Sequence, residues 1–252
     1  HTYLYEAGGG AVLGSVQPQP IPVEPDGSLD LGLVKSRIKP DDSHFARSKL
    51  LVLENTHNGK VLDLDYMGEA YRFTRDHELS LHLDGARIFN AAVALGVAVS
   101  EIACYADSIS ICCSKGLGAP VGSLLCGPAP LINAARRWRK MAGGGMRQAG
   151  ILAAAMDYAL DHNVDRLQID HANAKRLTEA LAAIDGVKIR NSHTNMLFID
   201  LPSREIGEQL ASRLAEQGVK IIGGQTIRLV THLDIDEEDI NRVVKLFRAF
   251  FA

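Results

Sequence analysis

The stretch SISICCSKGLGAPVGS, residues 108–123, places a lysine directly after an apolar run. The run predicts a buried strand, so Lys115 should emerge at the C-terminal end of that strand. Gly116, Gly118 and Gly122 allow the backbone to turn tightly there without a side-chain clash. Partial desolvation would keep such an amine neutral and nucleophilic toward an aldehyde, although a surface lysine in a glycine-rich loop fits this segment equally well.

Two upstream segments repeat the design of an apolar run that ends in polar groups. Residues 79–83 end at Asp84, which precedes a helical pattern, and residues 49–53 end at Glu54. The carboxyl ends of parallel strands form the ligand-binding edge of an open α/β sheet. There a carboxylate can pair with a protonated pyridine nitrogen, while an amine forms a Schiff base with the same ring system. Asp84 and Lys115 together predict a site for pyridoxal phosphate (PLP), with helix capping as the alternative role of Asp84.

The order of the predicted elements indicates an α/β fold. Helical patterns over residues 65–78 and 86–105 connect the three strands, which predicts a parallel sheet with right-handed crossovers. From residue 150 the pattern changes to one long helix ending near residue 184, followed by further strands and helices. We expect a large domain over residues 1–149 and a smaller α+β domain over residues 150–252.

The composition is typical of an ordinary soluble enzyme. The 252 residues are 46% hydrophobic and 23% charged, which suffices to bury a sizeable core. A net charge of −3 and scattered basic residues disfavour nucleic-acid binding. The four cysteines show neither C-x-x-C spacing nor a disulfide framework, and we expect no metal site. Cys112 and Cys113 lie in a strand pattern that points them to opposite faces, so we expect both to be small buried residues in a reducing compartment. Because the sequence contains no transmembrane-length apolar run and no signal peptide, the cytoplasm is the expected location.

Five separated motifs occur in an order that resembles the low-specificity L-threonine aldolases. They are LENTHNGKVL, HLDGAR, SKGLGAPVGS, RKMAGGGMRQAGILAAA and IRLVTHLD, and the resemblance extends over essentially the whole chain. It implies a PLP-dependent enzyme of the aspartate-aminotransferase fold (fold type I), with a mainly parallel sheet in its large domain. It also implies retro-aldol cleavage of L-threonine or L-allo-threonine to glycine and an aldehyde by a homo-oligomer, a dimer or tetramer, with shared active sites.

The resemblance further implies roles for side chains that flank the cofactor and substrate. Arg87 matches an arginine beside the phenolic oxygen of the ring and the substrate carboxylate, and Arg228 matches one that binds that carboxylate. His1 matches a histidine that stacks on the cofactor ring. His44 matches one beside the substrate hydroxyl, where a neutral imidazole can accept a proton.

A basic, glycine-containing segment is similar to one that contributes to the phosphate site in this family. Lys140 and Arg147 flank the glycines at 143–145. The resemblance implies that they bind phosphate in part across a subunit boundary. The alternative is a helix end followed by a flexible turn.

Some of these residues also have ordinary structural explanations. Arg87, three residues after Asp84, is also compatible with an exposed helix face. Arg228 lies inside an apolar run, where an unpaired guanidinium is costly to bury, so we expect it to have an anionic partner. Solitary histidines in loops are usually solvated, and this is the expectation for His57 and for the histidines at positions 77, 162, 171 and 193.

The start of the chain bears on the completeness of the site. The chain begins at His1 with a segment that reads as the interior of a domain. Members of the family have a preceding segment with a Gly-Thr turn that holds the cofactor phosphate at a helix N-terminus. We therefore expect the site formed by residues 1–252 to lack part of its phosphate cradle.

Three other functions remain compatible with the sequence. A PLP-dependent β-eliminating lyase or an aminotransferase would share Lys115 and Asp84 but break the bond between Cα and hydrogen. An aldolase that uses Lys115 without PLP leaves Asp84, Arg87 and Arg228 unexplained. A catalytically silent interaction protein is the third alternative.

Overall fold

The computed structural model describes residues 1–252 and contains two β-sheets. The N-terminal part comprises α1 (Gly9–Gly14), α2 (Leu31–Arg37), β1 (Leu50–Glu54), α3 (Leu64–Asp76), β2 (Ser80–Asp84), α4 (Ile88–Leu95), α5 (Val99–Ala103), β3 (Ser108–Cys112), β4 (Ser123–Cys126) and α6 (Ala129–Met141). The C-terminal part comprises α7 (Gly150–His162), α8 (Leu167–Ala182), β5 (Lys188–His193), β6 (Met196–Asp200), α9 (Arg204–Glu216), β7 (Thr226–Val230) and α10 (Glu237–Phe251). None of these helices combines the length and apolar character that crossing a membrane requires.

The first sheet has the strand order β1-β2-β3-β4. Strands β1, β2 and β3 are parallel, which confirms the predicted parallel sheet, and β4 pairs antiparallel with β3 at the edge. The sequence analysis missed β4 because its four residues follow the glycine-rich turn without a distinct pattern of their own. In the register of the sheet, Asp84 lies between Glu54 on one side and Ser110 on the other.

Alternation along β1 and β2 separates a core face from a polar face. Leu81 and Leu83 are fully buried, whereas His82 and Asp84 point to the opposite, partly exposed face. Helix α3, capped at its start by the side chain of Asp63, packs Met67 and Ala70 into the same core as the leucines. The apolar face thus anchors each strand and leaves the polar groups free at the carboxyl edge.

The second sheet is antiparallel, with the order β5-β6-β7. Helices α8, α9 and α10 bury a core against it that includes Leu197, Ile199, Leu210 and Phe247. This part has the smaller α+β arrangement expected for the C-terminal region. Its division from the large domain between residues 149 and 150 stays a prediction.

The long helix predicted from residue 150 to about 184 is wrong, because residues 163–166 interrupt it. At the break, the Asn163 side chain donates a hydrogen bond of 2.7 Å to the carbonyl of Leu117. Ala159 of α7 and Leu167 of α8 pack with Leu117 and Cys113 in a separate buried cluster. The chain bends here because it wraps the loop that carries Lys115, a tertiary contact that helical periodicity does not encode.

The turn between β5 and β6 contacts the loop that follows β1. The hydroxyl of Thr194 donates to the carbonyl of Gly59 at 2.9 Å, and the Asn191 side chain reaches the carbonyl of Asn58 at 3.4 Å. Gly59 has φ +86°, and a Cβ there would lie 2.6 Å from the carbonyl oxygen of His193. Only glycine fits this close approach of two backbones.

We predict that Gly207→Ala destabilises the protein by about 1–3 kcal/mol, the range typical of overpacking. A Cβ at this helical position would lie 1.9 Å from the carbonyl oxygen of Gly224, so the backbone before β7 must shift. Gly150→Ala is the matched control because nothing lies within 4 Å of its added Cβ, and it should leave stability unchanged or raise it slightly. Urea unfolding measures both variants, and equal midpoints would contradict the prediction.

Candidate active site

Two carboxylates end adjacent parallel strands on the polar face of the first sheet. Glu54 and Asp84 are register partners, so their Cα atoms lie about 4.8 Å apart. One oxygen of Asp84 accepts a hydrogen bond of 3.0 Å from the backbone of Ala86, and the other has no partner in the protein. Helix α4 has Arg87 as its N-cap residue, so Asp84 holds the preceding turn and does not cap the helix. A cation beside Asp84 would find a free carboxylate oxygen.

Lys115 follows the third strand of the same edge. It lies three residues beyond the end of β3, whose neighbour is the strand that ends in Asp84. Gly118 has φ +75°, and its amide donates to the carbonyl of Lys115 at 2.9 Å, which closes the tight turn expected from the glycines. The partial desolvation expected for Lys115 is wrong, since the residue is exposed and its amine forms no ion pair. The turn therefore places Lys115 at the surface, close enough to Cys112 for its charge to act on that thiol.

Two guanidinium groups, those of Arg87 and Arg228, lie close enough for their charges to interact, and neither forms an ion pair with a carboxylate of the protein. Burial, followed by the nearby charge of Arg228, lowers the pKa of Arg87 to about 10. The Nε atom of Arg87 is fully buried and has no hydrogen-bond partner. A buried donor without a partner costs about 1–3 kcal/mol, and the repulsion between the cations adds to that cost. An anion between the two arginines would relieve both penalties.

Arg228 reaches this position from the exposed side of β7. The strand alternates, with Ile227 and Leu229 buried and Arg228 exposed. Burial, the reason for expecting an anionic partner of Arg228, is absent here because the period of two sends every second side chain outward, and the expected anionic partner stays a prediction. Arg87, whose pKa the charge of Arg228 affects, lies in the turn after β2 at the start of α4, so the two arginines come from different parts of the chain.

Glu54 holds two histidines. One of its oxygens, Oε2, lies 2.7 Å from Nδ1 of His1 and 2.8 Å from Nδ1 of His57, and its Oε1 contacts the amino group of His1. Burial acts to raise the pKa of Glu54, but the hydrogen bonds and charges of His57 and the terminal amine outweigh it and hold that pKa below its ordinary value. The solvated state expected for His57 is wrong, since its side chain is only 19% exposed. The position of Glu54, three residues before His57, was the sequence signal that could have predicted this contact.

Cys112 is a second residue of the site that the sequence analysis did not assign. It is partly exposed at the end of β3, with its sulfur 3.4 Å from the hydroxyl of Ser114. Burial acts to raise the pKa of its thiol, but hydrogen bonds from Ser114 and the charge of Lys115 outweigh it and lower that pKa. The expected small buried cysteine is therefore found at Cys113 and not at Cys112.

Three further candidates lie on exposed surface, apart from the carboxylates and arginines described above. His44 is in the loop after α2, with Nδ1 held 2.7 Å from Asp42 and a side chain that is 83% exposed. Lys140 ends α6 and Arg147 lies in the loop beyond it, and both are exposed without ion pairs. The structure brings Asp84, Arg87 and the Lys115 loop together, but it forms no contact between these and the three exposed residues.

Known structures define the class to which this fold belongs. The chain superposes on a threonine aldolase of Leishmania major with a TM-score of 0.79 and 22% identity, over 98% of this chain and 74% of that one. It also superposes on the aspartate aminotransferase of Thermus thermophilus with a TM-score of 0.60 and 19% identity, over 88% of this chain and 60% of that one. The predicted fold type I architecture is confirmed.

Sequence comparison identifies the family within this class. The family model described as beta-eliminating lyase matches residues 1–203. A low specificity L-threonine aldolase of Escherichia coli strain K12 is 56% identical over 256 residues, which cover all of this chain and 75% of that protein. The chain belongs to the beta-eliminating lyase family, and its resemblance to the low-specificity threonine aldolases is confirmed.

Proposed function

We propose that this protein is a PLP-dependent lyase that cleaves L-threonine and L-allo-threonine to glycine and acetaldehyde. The Escherichia coli relative, a low specificity L-threonine aldolase at 56% identity, supports this activity. The observation that carries the proposal is the arrangement of Asp84 and Lys115 at the carboxyl edge of adjacent strands, beside two arginines that share no anion. Asp84 can pair with a cation, Lys115 supplies an amine, and the two arginines can bind a carboxylate, all at the same edge of the sheet.

The residues at this edge fit PLP. Lys115 has a free amine, Asp84 has a free carboxylate oxygen, and Arg87 has a buried donor without a partner. When bound, PLP supplies an aldehyde that condenses with amines and a protonated ring that accepts the electron pair of a broken bond. We assign Lys115 to the aldehyde and Asp84 to the ring nitrogen, whose positive charge it would stabilise. We assign ring stacking to His1 and phosphate binding to Lys140 and Arg147.

The arginine pair determines how the substrate lies. A carboxylate between Arg87 and Arg228 would receive charge-assisted hydrogen bonds from two planar forks. Fixing that carboxylate at two arginines would restrict rotation about Cα and so would select which of its bonds is broken. His44 has its Nδ1 held by Asp42, which leaves Nε2 to accept the proton of the β-hydroxyl. Loss of that proton drives release of the aldehyde.

We propose that the enzyme works in the cytoplasm as a homo-oligomer, a dimer or tetramer, with active sites shared between subunits. Large apolar side chains are exposed on α6 and the segment that follows it, namely Trp138, Met141, Met146 and Ile151. Helix α6 buries none of its residues. A neighbouring subunit on this surface would cover apolar area beside Lys140 and Arg147. Of the proposed domains, residues 1–149 and 150–252, the larger one would then supply most of this contact and the smaller one would add the start of α7, with Ile151.

Lys115→Ala should abolish turnover and the borohydride-reducible link to PLP, because no other amine follows β3. The measurement is acetaldehyde and glycine release from threonine, with ammonia and keto acid assayed in parallel to reveal β-elimination or transamination. Lys220→Ala is a control at another exposed lysine and should keep wild-type rates. Wild-type release of acetaldehyde by the Lys115 variant would refute the assignment, and ammonia in place of acetaldehyde would favour a β-eliminating lyase.

Asp84→Asn should lower kcat at least ~100-fold, the scale of losing one preorganised charge partner. A neutral amide cannot keep the pyridine nitrogen protonated, although it can still accept the backbone hydrogen bond from Ala86. Steady-state kinetics at saturating PLP measure the loss, and circular dichroism checks the fold. Asp76→Asn, at an exposed carboxylate, should leave kcat unchanged. A decrease of only a few fold at Asp84 would reduce that residue to a turn-forming role.

Arg228→Lys should raise the KM for threonine while PLP content stays normal. Lysine keeps the charge but loses the planar fork, so bidentate binding of the carboxylate is lost. Arg190→Lys is the matched control, because Arg190 lies on the same sheet and pairs only with Asp200. Identical substrate kinetics in the two variants would contradict a role of Arg228 in carboxylate binding.

A further inference from the structure

Glu54 is the one carboxylate at the edge of the first sheet that the proposed chemistry leaves without a role. Its side chain is only 14% exposed, and it is a register partner of Asp84 in the adjacent strand. Two like charges at this separation repel each other unless one of them is compensated. Glu54 is compensated by imidazoles, whereas Asp84 keeps a free oxygen for a cation.

Hydrogen bonding defines the tautomer of His57. Its Nε2 lies 3.3 Å from the side-chain nitrogen of Asn58, which has only protons to offer. Nε2 therefore accepts, and the proton resides on Nδ1, which donates to Oε2 of Glu54 at 2.8 Å. His57 and Glu54 form a fixed pair at the end of β1.

The same oxygen of Glu54 receives Nδ1 of His1 at 2.7 Å. Because a carboxylate only accepts, Nδ1 of His1 must carry a proton, which leaves its Nε2 free on the far side of the ring. The ring of His1 lies 5.8 Å from that of His57 and 5.6 Å from that of Tyr5. No other hydrogen bond from a side chain holds this ring, so its orientation depends on Glu54.

We propose that Glu54 is a positioning residue that fixes the orientation and tautomer of the His1 imidazole, with His57 holding Glu54 in place. The inference rests on the proposed function to the extent that His1 acts as the ring-stacking side chain. Its chemistry is that of the carboxylate–imidazole pairs in which a carboxylate selects the tautomer of a working histidine. Glu54 itself does not touch the substrate or the cofactor.

The test compares Glu54→Gln with the wild-type protein by nitrogen-15 NMR of labelled histidines, with and without PLP. The signals of the two rings are assigned from His1→Gln and His57→Gln variants. In the wild type, both rings should be in the Nδ1–H tautomer. In Glu54→Gln, the neutral amide oxygen is a weaker acceptor than the carboxylate, so His1 should shift toward the Nε2–H tautomer that dominates free imidazole. We expect kcat for threonine to fall about tenfold or more, with KM changed less than threefold.

Two further variants keep the result interpretable. Glu54→Asp restores the charge one methylene further back and should recover part of kcat. Glu208→Gln makes the same chemical change at an exposed carboxylate paired with Arg204, and it should alter neither the His1 tautomer nor kcat. Should Glu54→Gln fail to fold, the aspartate variant carries the test, because its shorter side chain lengthens the contact with Nδ1 of His1 and should shift the tautomer in the same direction by a smaller amount.

The outcomes separate this inference from the proposed function. An unchanged His1 tautomer and wild-type kcat in both Glu54 variants would overturn it. A changed tautomer with unchanged kcat would also overturn it, since the orientation of His1 would then not serve the reaction. If the wild-type protein releases no acetaldehyde from threonine, the proposed function fails, and the tautomer measurement still decides whether Glu54 orients His1.

Discussion

The parallel pairing of β1, β2 and β3 is the constraint on which the site depends. Backbone hydrogen bonds hold neighbouring strands at about 4.8 Å and in a single register, so whatever residue ends one strand meets the residue that ends the next. Leucines on the core face prevent a slip by one position, because a slip would turn the apolar set outward. Glu54, Asp84 and the loop of Lys115 are neighbours for this reason, although 61 residues separate the first of them from the last.

The second constraint is electrostatic and spans both sheets. Arg87 and Arg228 come from different parts of the chain, and burial together with the charge of Arg228 lowers the pKa of Arg87, whose buried Nε has no hydrogen-bond partner, so this arrangement costs free energy. In the proposed function, a carboxylate bound by both arginines would offset that cost. Substrate affinity and the relative placement of the two parts are thus linked, because the arginines can share one anion only when both are within hydrogen-bonding distance of it.

Local patterns were sufficient for some features of this molecule and insufficient for others. Alternation and glycine placement identified the three parallel strands, the Lys115 turn and Asp84, since these depend on residues close together in sequence. The break after α7, the exposure of Arg228 and the engagement of His57 were not anticipated. The break depends on a partner far along the chain, and the exposure of Arg228 depends on which face of a strand meets solvent, whereas the contact of His57 with Glu54, three residues away, was a local signal that was overlooked. The exposed His44 and Lys140 remain assigned by resemblance, because no contact in the protein ties them to the site.

The contact between the β5–β6 turn and the loop after β1 has a mechanical consequence. Thr194 is bonded to the backbone of Gly59, five residues beyond Glu54, so the second sheet is tethered beside the strand end that carries the histidine pair. A rotation of the second sheet would pull on the hydrogen bond between Thr194 and Gly59. The backbone of residues 55–59 would then be displaced with it. Arg228 lies in the same sheet, on β7, which pairs with β6. Carboxylate binding at Arg228 and the position of the backbone at the end of β1 would then change together.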